Sequence, residues 1–181
     1  QGLYVWDEQG GRTDFRCESI DMPHLGTIVE NNLVQSALLS SLKGNDNAAL
    51  YLNNRITDVE RLPDGFRVSL SEGTPVLANL LIAADGANSW LRGWAGIGID
   101  GWDYQQSAMV IGVGIEGEQL DATWQEFCPS GPKAYLPLAG NQGSLVWYHQ
   151  KEQITQLAQL SNGQLQQKIH ENFPKRLDQV E

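Results

Sequence analysis

Residues 80–92 read Leu80-Leu81-Ile82-Ala83-Ala84-Asp85-Gly86-Ala87-Asn88-Ser89-Trp90-Leu91-Arg92, and this stretch is the most informative feature of the sequence. An apolar run that ends abruptly in Asp-Gly predicts a buried strand of an α/β sheet, from Val76 to Ala84, followed by a sharp turn. Gly86 permits a positive φ and a close approach of the backbone to a ligand. Residues Asn88 to Trp94 then predict a helix whose free N–H groups would form an anion site. Because open α/β sheets bind ligands at the carboxyl ends of their strands, the pattern indicates a cofactor-binding turn.

Composition describes a folded chain and excludes several kinds of partner. The 181 residues are 41% hydrophobic and include six Trp, so the chain is not disordered. A net charge of −10 argues against nucleic acid and against docking on anionic lipid through a basic patch. No apolar stretch reaches the length of a membrane span, and the two cysteines fit a reducing compartment. We therefore expect a cytoplasmic protein.

Alternating apolar residues and turn signals predict most of the remaining elements. The predicted strands run over residues 3–7, 13–20, 50–52, 56–62, 66–70, 106–115, 123–127, 133–138 and 144–149. A helix begins at Asn31 or Asn32 and runs to about Leu42, with Val34, Leu38 and Leu42 on one stripe. Two short helices follow near residues 154–160 and 165–172. The first residues carry no signal peptide and read as a strand entered in mid-protein.

Several kinds of catalytic site are absent from the sequence. His24, His149 and His170 stand alone, without Cys, Asp or Glu at the spacing of metal ligands, so we expect no metal site. No Gly-x-Ser-x-Gly motif supplies a hydrolase nucleophile. The stretch Gly96 to Gly101 matches Gly-x-Gly-x-x-Gly literally. Because it follows a predicted helix and leads into a strand, we interpret it as incidental rather than phosphate-binding.

The segment around Asp85 resembles a known flavin motif. Ala84, Asp85, Gly86, Ser89 and Arg92 are in register with the second flavin fingerprint of the FAD-dependent aromatic hydroxylases, the class A flavoprotein monooxygenases. Further stretches are similar to the ubiquinone-biosynthesis hydroxylases of that family, namely residues 25–32, 95–98, 123–127, 131–138 and 144–148. The resemblance spans nearly the whole chain.

Two motifs of that family are not found in the 181 residues. The strand–Gly-x-Gly-x-x-Gly–helix unit that holds the ADP half of FAD is absent, and so is the later Gly-Asp motif. The chain therefore resembles the central part of a longer enzyme. We expect the isolated chain to bind FAD weakly or not at all. We also expect uncovered sheet edges and apolar surface that favour self-association.

The resemblance implies a set of cofactor-binding residues: Asp85, Gly86, Ser89 and Arg92 by the pyrophosphate, with Glu30, Asn31 and Gln35 on the flavin side. Each has a simpler structural alternative. Asp85 could hydrogen-bond its own turn, and Arg92 could form only a salt bridge. Glu30 and Asn31 could be no more than a helix N-terminus. No catalytic residue is identified.

The implied architecture combines α/β and α+β features. Residues 27–98 would form a partial α/β unit of the FAD/NAD(P)-binding type. Residues 1–26 and 99–150 would form a mainly antiparallel substrate-binding sheet, and residues 151–181 a helical extension. In the predicted strand 106–115, Met109 lies on one face and Ala108, Val110 and Gly112 on the other. The glycine-bearing face could receive a packed Trp or helix, or it could make room for a substrate ring and its prenyl tail.

The function implied by the resemblance is hydroxylation of a polyprenylated phenol or quinol in ubiquinone biosynthesis. FAD would be the cofactor and NAD(P)H the reductant, and the protein would position the groups and exclude water. Ile97, Ile99, Met109 and Leu136 are candidates for an apolar trough around the prenyl tail. Peripheral association with the inner membrane or with a quinone-synthesis complex would follow from such a substrate. The alternatives are another flavin-dependent aromatic hydroxylase or oxidoreductase, and a non-catalytic binding or assembly module.

Overall fold

A computed structural model describes residues 2–116 and 121–174. The chain divides into two compact units, residues 1–36 with 103–181 and residues 37–102. The strands are β1 (Gly2–Asp7), β2 (Arg12–Arg16), β3 (Ile56–Leu62), β4 (Gly65–Leu70), β5 (Val76–Ala78), β6 (Gln106–Gly114), β7 (Ala122–Phe127), β8 (Lys133–Leu138) and β9 (Gln142–Gln150). The helices are α1 (Asn31–Lys43), α2 (Trp90–Trp94), α3 (Lys151–Leu157) and α4 (Asn162–Asn172).

The first unit is built on a six-stranded sheet in the order β2-β1-β7-β8-β9-β6. Only the β1–β7 pair is parallel, and the other neighbouring strands are antiparallel. The predicted, mainly antiparallel sheet is therefore confirmed. Strands β2 and β6 form its two edges.

One face of this sheet carries the main hydrophobic core. Trp124, Tyr135 and Leu145 alternate inward on β7, β8 and β9, and they are between 0% and 3% exposed. Ile169 on α4 and Phe173 just beyond it complete the cluster. Helix α4 begins with a capping box at Ser161, which fixes where the chain turns back onto the sheet.

At strand β6 the opposite face of the sheet is open among the described residues. Ala108, Val110 and Gly112 point to it, and Val110 is 69% exposed. A Cβ built at Gly112 would meet no atom within 4 Å. The expectation that a Trp or helix packs on the glycine-bearing face is therefore wrong for the part of the chain described. Met109 packs against the core cluster on the other face, so its assignment to an apolar trough beside Leu136 is also wrong.

A polar network lies at the edge of the core. The Lys133 ammonium donates to the backbone oxygen of Asn172 at 2.7 Å, and its Nζ lies 3.7 Å from Glu126 Oε2. The side chains of Lys133 and Glu126 are both less than 20% exposed. The indole of Trp6 donates to the same carboxylate at 3.2 Å. These partly buried polar groups bind one another, so the network joins β1, β7 and β8 to the end of α4.

The second unit is built on the three-stranded antiparallel sheet β3-β4-β5. The predicted turn at residues 63–65 joins β3 to β4, and Gly65 has φ +149°. A side chain at Gly65 would collide with the carbonyl oxygen of Ala78 on β5, so the close strand pairing requires glycine here. Val59, Val68 and Leu91 form a small core, which seats α2 on the sheet.

The predicted buried strand from Val76 to Ala84 is wrong beyond its first three residues. Strand β5 ends at Ala78, where its pairing with β4 ends. Leu80 and Ile82 are 73% and 75% exposed. An apolar run becomes a buried strand only when a neighbouring strand accepts its backbone hydrogen bonds, and no described strand lies beside residues 79–84.

The structure also differs from the sequence prediction at two further strands. The predicted strand at residues 50–52 is not formed, and the one at 13–20 stops at Arg16, where a single 3₁₀ turn (Cys17–Ile20) follows. Helix α1 forms as predicted, but its apolar stripe packs against nothing described, since Val34 and Leu38 are 43% and 61% exposed. Among the described residues no helix has the length and apolar character needed to cross a bilayer.

Candidate functional site

The loop of residues 85–92 is held together by its own side chains. The Ser89 hydroxyl donates to Asp85 Oδ1 at 2.5 Å, and the Leu91 backbone N–H donates to Asp85 Oδ2 at 3.2 Å. The Arg92 backbone N–H donates to Ser89 Oγ at 2.9 Å, so Ser89 is the N-cap of α2. Gly86 has φ +86°, as its predicted turn requires.

These hydrogen bonds change the chemical role of the helix N-terminus. The N–H groups of Leu91 and Arg92 already have partners in Asp85 and Ser89. The predicted anion site at the start of α2 is therefore not formed, because the fingerprint's own carboxylate occupies that position. The Ser89 hydroxyl, followed by the Leu91 N–H, lowers the pKa of Asp85, which favours its ionised form.

Arg92 is the remaining cation of the loop. Its guanidinium Nη2 donates to the carbonyl oxygen of Ala87 at 2.9 Å, which ties the turn to the helix. Since a guanidinium has five N–H donors, this bond leaves donors for a ligand. The neighbouring Leu91 is only 6% exposed and packs with Val59 and Val68, so the loop stands on a rigid base.

An open pocket of about 600 Å³ lies beside this loop. Gly86, Ser89 and Arg92 line it together with apolar residues of the preceding segment and the sheet, among them Leu81 and Phe66. Trp94 packs edge-on against Phe66, with their ring centroids 6.1 Å apart. Arg61 lines the pocket as well, with its guanidinium carbon 5.9 Å from the centroid of the Phe66 ring, so the pocket combines two guanidinium groups and a glycine turn with an aromatic wall.

The donor set of this pocket suits a phosphate-bearing cofactor. Arg92 supplies a cation with planar, bidentate geometry for phosphate oxygens. Gly86 lets the backbone come close, since a Cβ there would meet open space. Both oxygens of the exposed Asp85 carboxylate already accept hydrogen bonds within the loop. A diphosphate would therefore meet Arg92 and the backbone of the turn, and Asp85 would hold that turn in shape.

The other predicted cofactor residues lie at the start of α1. The backbone oxygen of Glu30 accepts from Leu33 N at 3.1 Å and from Val34 N at 3.4 Å. Asn31 is the first residue of the helix, and Gln35 lies one turn further with an exposed side chain. Glu30 and Asn31 thus lie at the N-terminus of α1, as the simpler structural alternative predicts. Their contact with a flavin remains a prediction.

A second open pocket, of about 670 Å³, lies beside the ends of β1, β7 and β8. Leu3 and Thr123 are in register on neighbouring strands, on the face opposite Trp124. Leu25 and Ile28 line the same pocket from the segment that leads into α1, and Leu138 lines it from β8. The pocket is mainly apolar and large enough for an aromatic ring.

Two further predictions from the sequence concern metal ligands and the glycine-rich stretch of residues 96–101. No three His, Cys, Asp or Glu side chains cluster as metal ligands within residues 2–116 and 121–174. The literal Gly-x-Gly-x-x-Gly of residues 96–101 follows α2 and is followed by β6 rather than by a helix. The predicted context is confirmed, because the stretch lacks the strand–turn–helix arrangement of a dinucleotide loop.

Comparison with known proteins identifies relatives over nearly the whole chain, although no family model matches it. The 3-demethoxyubiquinol 3-hydroxylase of Escherichia coli is 39% identical over 178 residues, which cover 98% of this chain and 46% of that protein. Along 98% of its length the chain is thus similar to a ubiquinone-biosynthesis hydroxylase. The ubiquinone hydroxylase UbiL of Rhodospirillum rubrum is 36% identical over 86% of the chain and 36% of its own length. The chain thus spans half or less of the length of the curated relatives it matches.

Solved structures support the fold. PqsL of Pseudomonas aeruginosa, described as a probable FAD-dependent monooxygenase, has a TM-score of 0.74 at 17% identity, covering 93% of this chain and 48% of that one. Klebsiella pneumoniae HpxO in complex with FAD and uric acid has a TM-score of 0.63 at 20% identity, covering 82% of this chain and 39% of that one. At these identities the likeness shows a shared fold.

Sequence reasoning missed two parts of the site. The first is Leu91, whose buried side chain seats α2 while its N–H binds Asp85. The sequence signal for this role is the apolar side chain itself, because a short surface helix turns its apolar side chains toward the body on which it packs. The second is the Ala87 carbonyl as the partner of Arg92, and no sequence signal marks a backbone acceptor.

Proposed function

We propose that this chain is the central part of an FAD-dependent monooxygenase that hydroxylates a polyprenylated phenol or quinol ring in ubiquinone biosynthesis. The observation that carries the proposal is the 39% identity to the 3-demethoxyubiquinol 3-hydroxylase along 98% of the chain. The ordered fingerprint loop, with Arg92 beside an open pocket, supports it independently.

In this proposal the fingerprint loop contributes the diphosphate contacts of FAD. Arg92 and the backbone at Gly86 hold the phosphate oxygens, and Asp85 and Ser89 keep the turn in the required shape. When bound and reduced, the flavin supplies the oxygen-activating chemistry, as cofactors do for reactions that side chains cannot perform. Glu30, Asn31 and Gln35 lie on the flavin side. NAD(P)H is the reductant in this scheme.

The open face of the six-stranded sheet is the proposed substrate side. Ala108, Val110 and Gly112 leave this face shallow, and Leu136 adds apolar surface to it. The pocket lined by Leu25 and Thr123 would take the ring, and the apolar surface would take the prenyl tail. The protein's part is to position the ring and to exclude water from it.

The proposed substrate also bears on location and partners. A polyprenylated ring partitions into the bilayer, so we infer a cytoplasmic protein that works peripherally at the inner membrane or within a quinone-synthesis complex. The net charge of −10 on this chain does not favour attraction to anionic lipid headgroups. Apolar contact or a partner protein would supply that attachment.

The test is genetic and chemical. The gene that encodes this chain is deleted in its host, and the quinone pool is analysed by mass spectrometry. We expect ubiquinone to fall and a precursor lacking one ring oxygen to accumulate, with recovery on re-expression. An unchanged quinone pool would contradict the proposal, and a different aromatic precursor would favour another flavin-dependent hydroxylase or oxidoreductase.

A matched pair of arginine variants tests the cofactor role in the purified gene product. We expect Arg92→Gln to raise the dissociation constant for FAD by roughly 10- to 100-fold, the value of one or two charged hydrogen bonds. Arg67→Gln is the control, since Arg67 lies on the same unit but pairs with Glu60 at the surface. If the gene product holds no flavin at all, the non-catalytic binding module becomes the better interpretation.

A further inference from the structure

Arg61 is a basic residue of the second unit that lies outside the flavin fingerprint. It stands near the end of β3 and is the direct cross-strand partner of Phe66 on β4. Because side chains alternate along a strand, Arg61 shares a face of the three-stranded sheet with Val59, two residues earlier. That face carries the small core on which α2 packs. Arg61 therefore lies on the side of the sheet that holds α2 and, with it, Arg92.

An aromatic ring supports the guanidinium of Arg61. Its Cζ lies 5.9 Å from the centroid of the Phe66 ring, within the range of cation–π contacts. The Phe66 ring in turn packs edge-on against Trp94 of α2, with 6.1 Å between the centroids. The ring attracts the charge of the guanidinium and leaves its N–H donors for oxygen acceptors. Because Arg61 is exposed, a ligand in solution can reach it.

Arg61 and Arg92 line the same pocket without a carboxylate partner. Among the residues that the structure describes, neither guanidinium forms an ion pair, and the pocket lining includes no Asp or Glu. Arg67 is the contrasting case, because it lies on the opposite face of the sheet and pairs with Glu60 at 2.8 Å. Since the sequence has 22 acidic residues against 12 basic ones, two unpaired arginines at one pocket indicate an anionic ligand.

The charge of the fingerprint loop explains why a second arginine matters. Asp85 is ionised, because the Ser89 hydroxyl and the Leu91 N–H lower its pKa. Its negative charge offsets that of Arg92, so residues 85–92 carry no net charge. A diphosphate bridge bears a negative charge on each phosphate and would meet no excess of positive charge from the loop alone. Arg61 supplies that excess at the same pocket.

We propose that Arg61 and Arg92 together bind a diphosphate group in this pocket, each guanidinium donating N–H groups to phosphate oxygens. In the proposed function this group is the diphosphate of FAD, and only that assignment rests on the proposed function. Arg61 is then a phosphate contact that the fingerprint motif does not contain. Its place on β3 ties the cofactor to the three-stranded sheet as well as to the loop.

The first experiment titrates the 181-residue chain with inorganic diphosphate. Ionic strength is held constant, sodium chloride is the reference, and the arginine Nε–H signals, assigned with Arg61→Gln and Arg92→Gln, are followed by NMR. We expect both signals to shift in a saturable way with one dissociation constant. Arg61→Gln should raise that constant about tenfold, the value of one charged hydrogen bond. Arg67→Gln removes a guanidinium from the opposite face and should change it by less than about twofold.

The second experiment uses the purified gene product, freed of flavin, and compares FAD with riboflavin, which has the same ring system and no phosphate. We expect Arg61→Gln to raise the dissociation constant for FAD about tenfold and to leave that for riboflavin within about twofold. Arg61→Lys keeps the charge but not the planar fork, so it should raise the FAD constant only about threefold. A residue that merely supported the fold would weaken both ligands alike.

The outcomes separate this proposal from the proposed function. A gene product that holds no flavin contradicts the function, whereas saturable diphosphate binding that depends on Arg61 still supports the pocket. Shifts that chloride reproduces, or that Arg61→Gln leaves unaltered, would overturn the pocket. Equal losses of FAD and riboflavin affinity in Arg61→Gln, or an equal effect from Arg67→Gln, would overturn Arg61 as a phosphate contact.

Discussion

Similar apolar side chains are buried in one unit and exposed in the other. On β9, Leu145 is 0% exposed at the centre of a cluster that includes Trp124 and Tyr135. In the segment after β5, Leu80 is 73% exposed, although it begins the apolar run of residues 80–84. The difference is pairing, because Leu145 has strands on both sides while Leu80 has none among the described residues.

The apolar run at residues 80–84 is left without a packing partner among the described strands. A contiguous apolar surface of this kind marks an interaction site in a soluble domain. Since the relatives are about twice as long or longer, we propose that the apolar run at residues 80–84 becomes a sheet strand in the longer protein. The fingerprint loop would then stand at the end of that strand, where α/β sheets place their ligands.

The largest expected effect comes from matched leucine truncations in the isolated chain. We expect Leu145→Ala to lower the free energy of unfolding by about 2–5 kcal/mol, because it opens a cavity in a closed core. Leu80→Ala should change it by no more than about 0.5 kcal/mol. Urea denaturation followed by tryptophan fluorescence measures both. Similar losses from the two substitutions would mean that residues 80–84 are already buried in solution.

The second prediction compares the effect of Leu80→Ala in the isolated chain with its effect in the full gene product. There we expect a loss of about 1.5–3 kcal/mol, the value of burying one leucine side chain, together with weaker flavin retention. The measurement is thermal or urea unfolding of the purified protein, with Ser40→Ala on exposed α1 as the control. A loss no larger than in the isolated chain would refute burial of this segment.

The two edges of the six-stranded sheet supply the third prediction. Strand β6 carries no charged residue, whereas β2 carries Arg12, Asp14 and Arg16, and uncharged edges are prone to pair with another chain. We expect the chain to self-associate through β6. Val110→Lys should raise the dimer dissociation constant roughly tenfold in sedimentation experiments. Thr13→Lys on β2 is the control, and an equal effect from it would place the contact elsewhere.

Much of the fold could be predicted because local signals agree with tertiary pairing. The turn at residues 63–65 and the alternating pattern of 133–138 placed strands within about one residue of their observed ends. Residues 79–84 could not be placed, since apolar composition signals burial without naming the partner that provides it. Lys133 and Glu126 were missed, although both share a strand face with core aromatics, which suggests a buried pair.

The motif locates the site in the sequence, but it does not predict where the side chains of the site point. Asp, Gly, Ser and Arg at this spacing identified the loop, and the contacts within it follow from capping physics rather than from ligand binding. Asp85 and Ser89 are both residue types that cap helices, so the structural alternative for Asp85 was readable from the sequence. Only coordinates show that both of its oxygens are used.

The smallest effect is the response of the fingerprint loop to acid. The pKa of Asp85 is lowered by the Ser89 hydroxyl and then the Leu91 N–H, so the ionised carboxylate stabilises the loop. This contribution is complete above the ordinary pKa of an aspartate and is lost as the pH falls through the lower folded-state value. The Leu91 amide signal in NMR should therefore shift along that acidic titration, and its hydrogen exchange should accelerate. Asp85→Asn should remove the titration, whereas Asp64→Asn in the β3–β4 turn should not. A Leu91 signal insensitive to pH in the unsubstituted chain would mean that Asp85 does not cap α2, and the carboxylate would then be free to contact a cofactor.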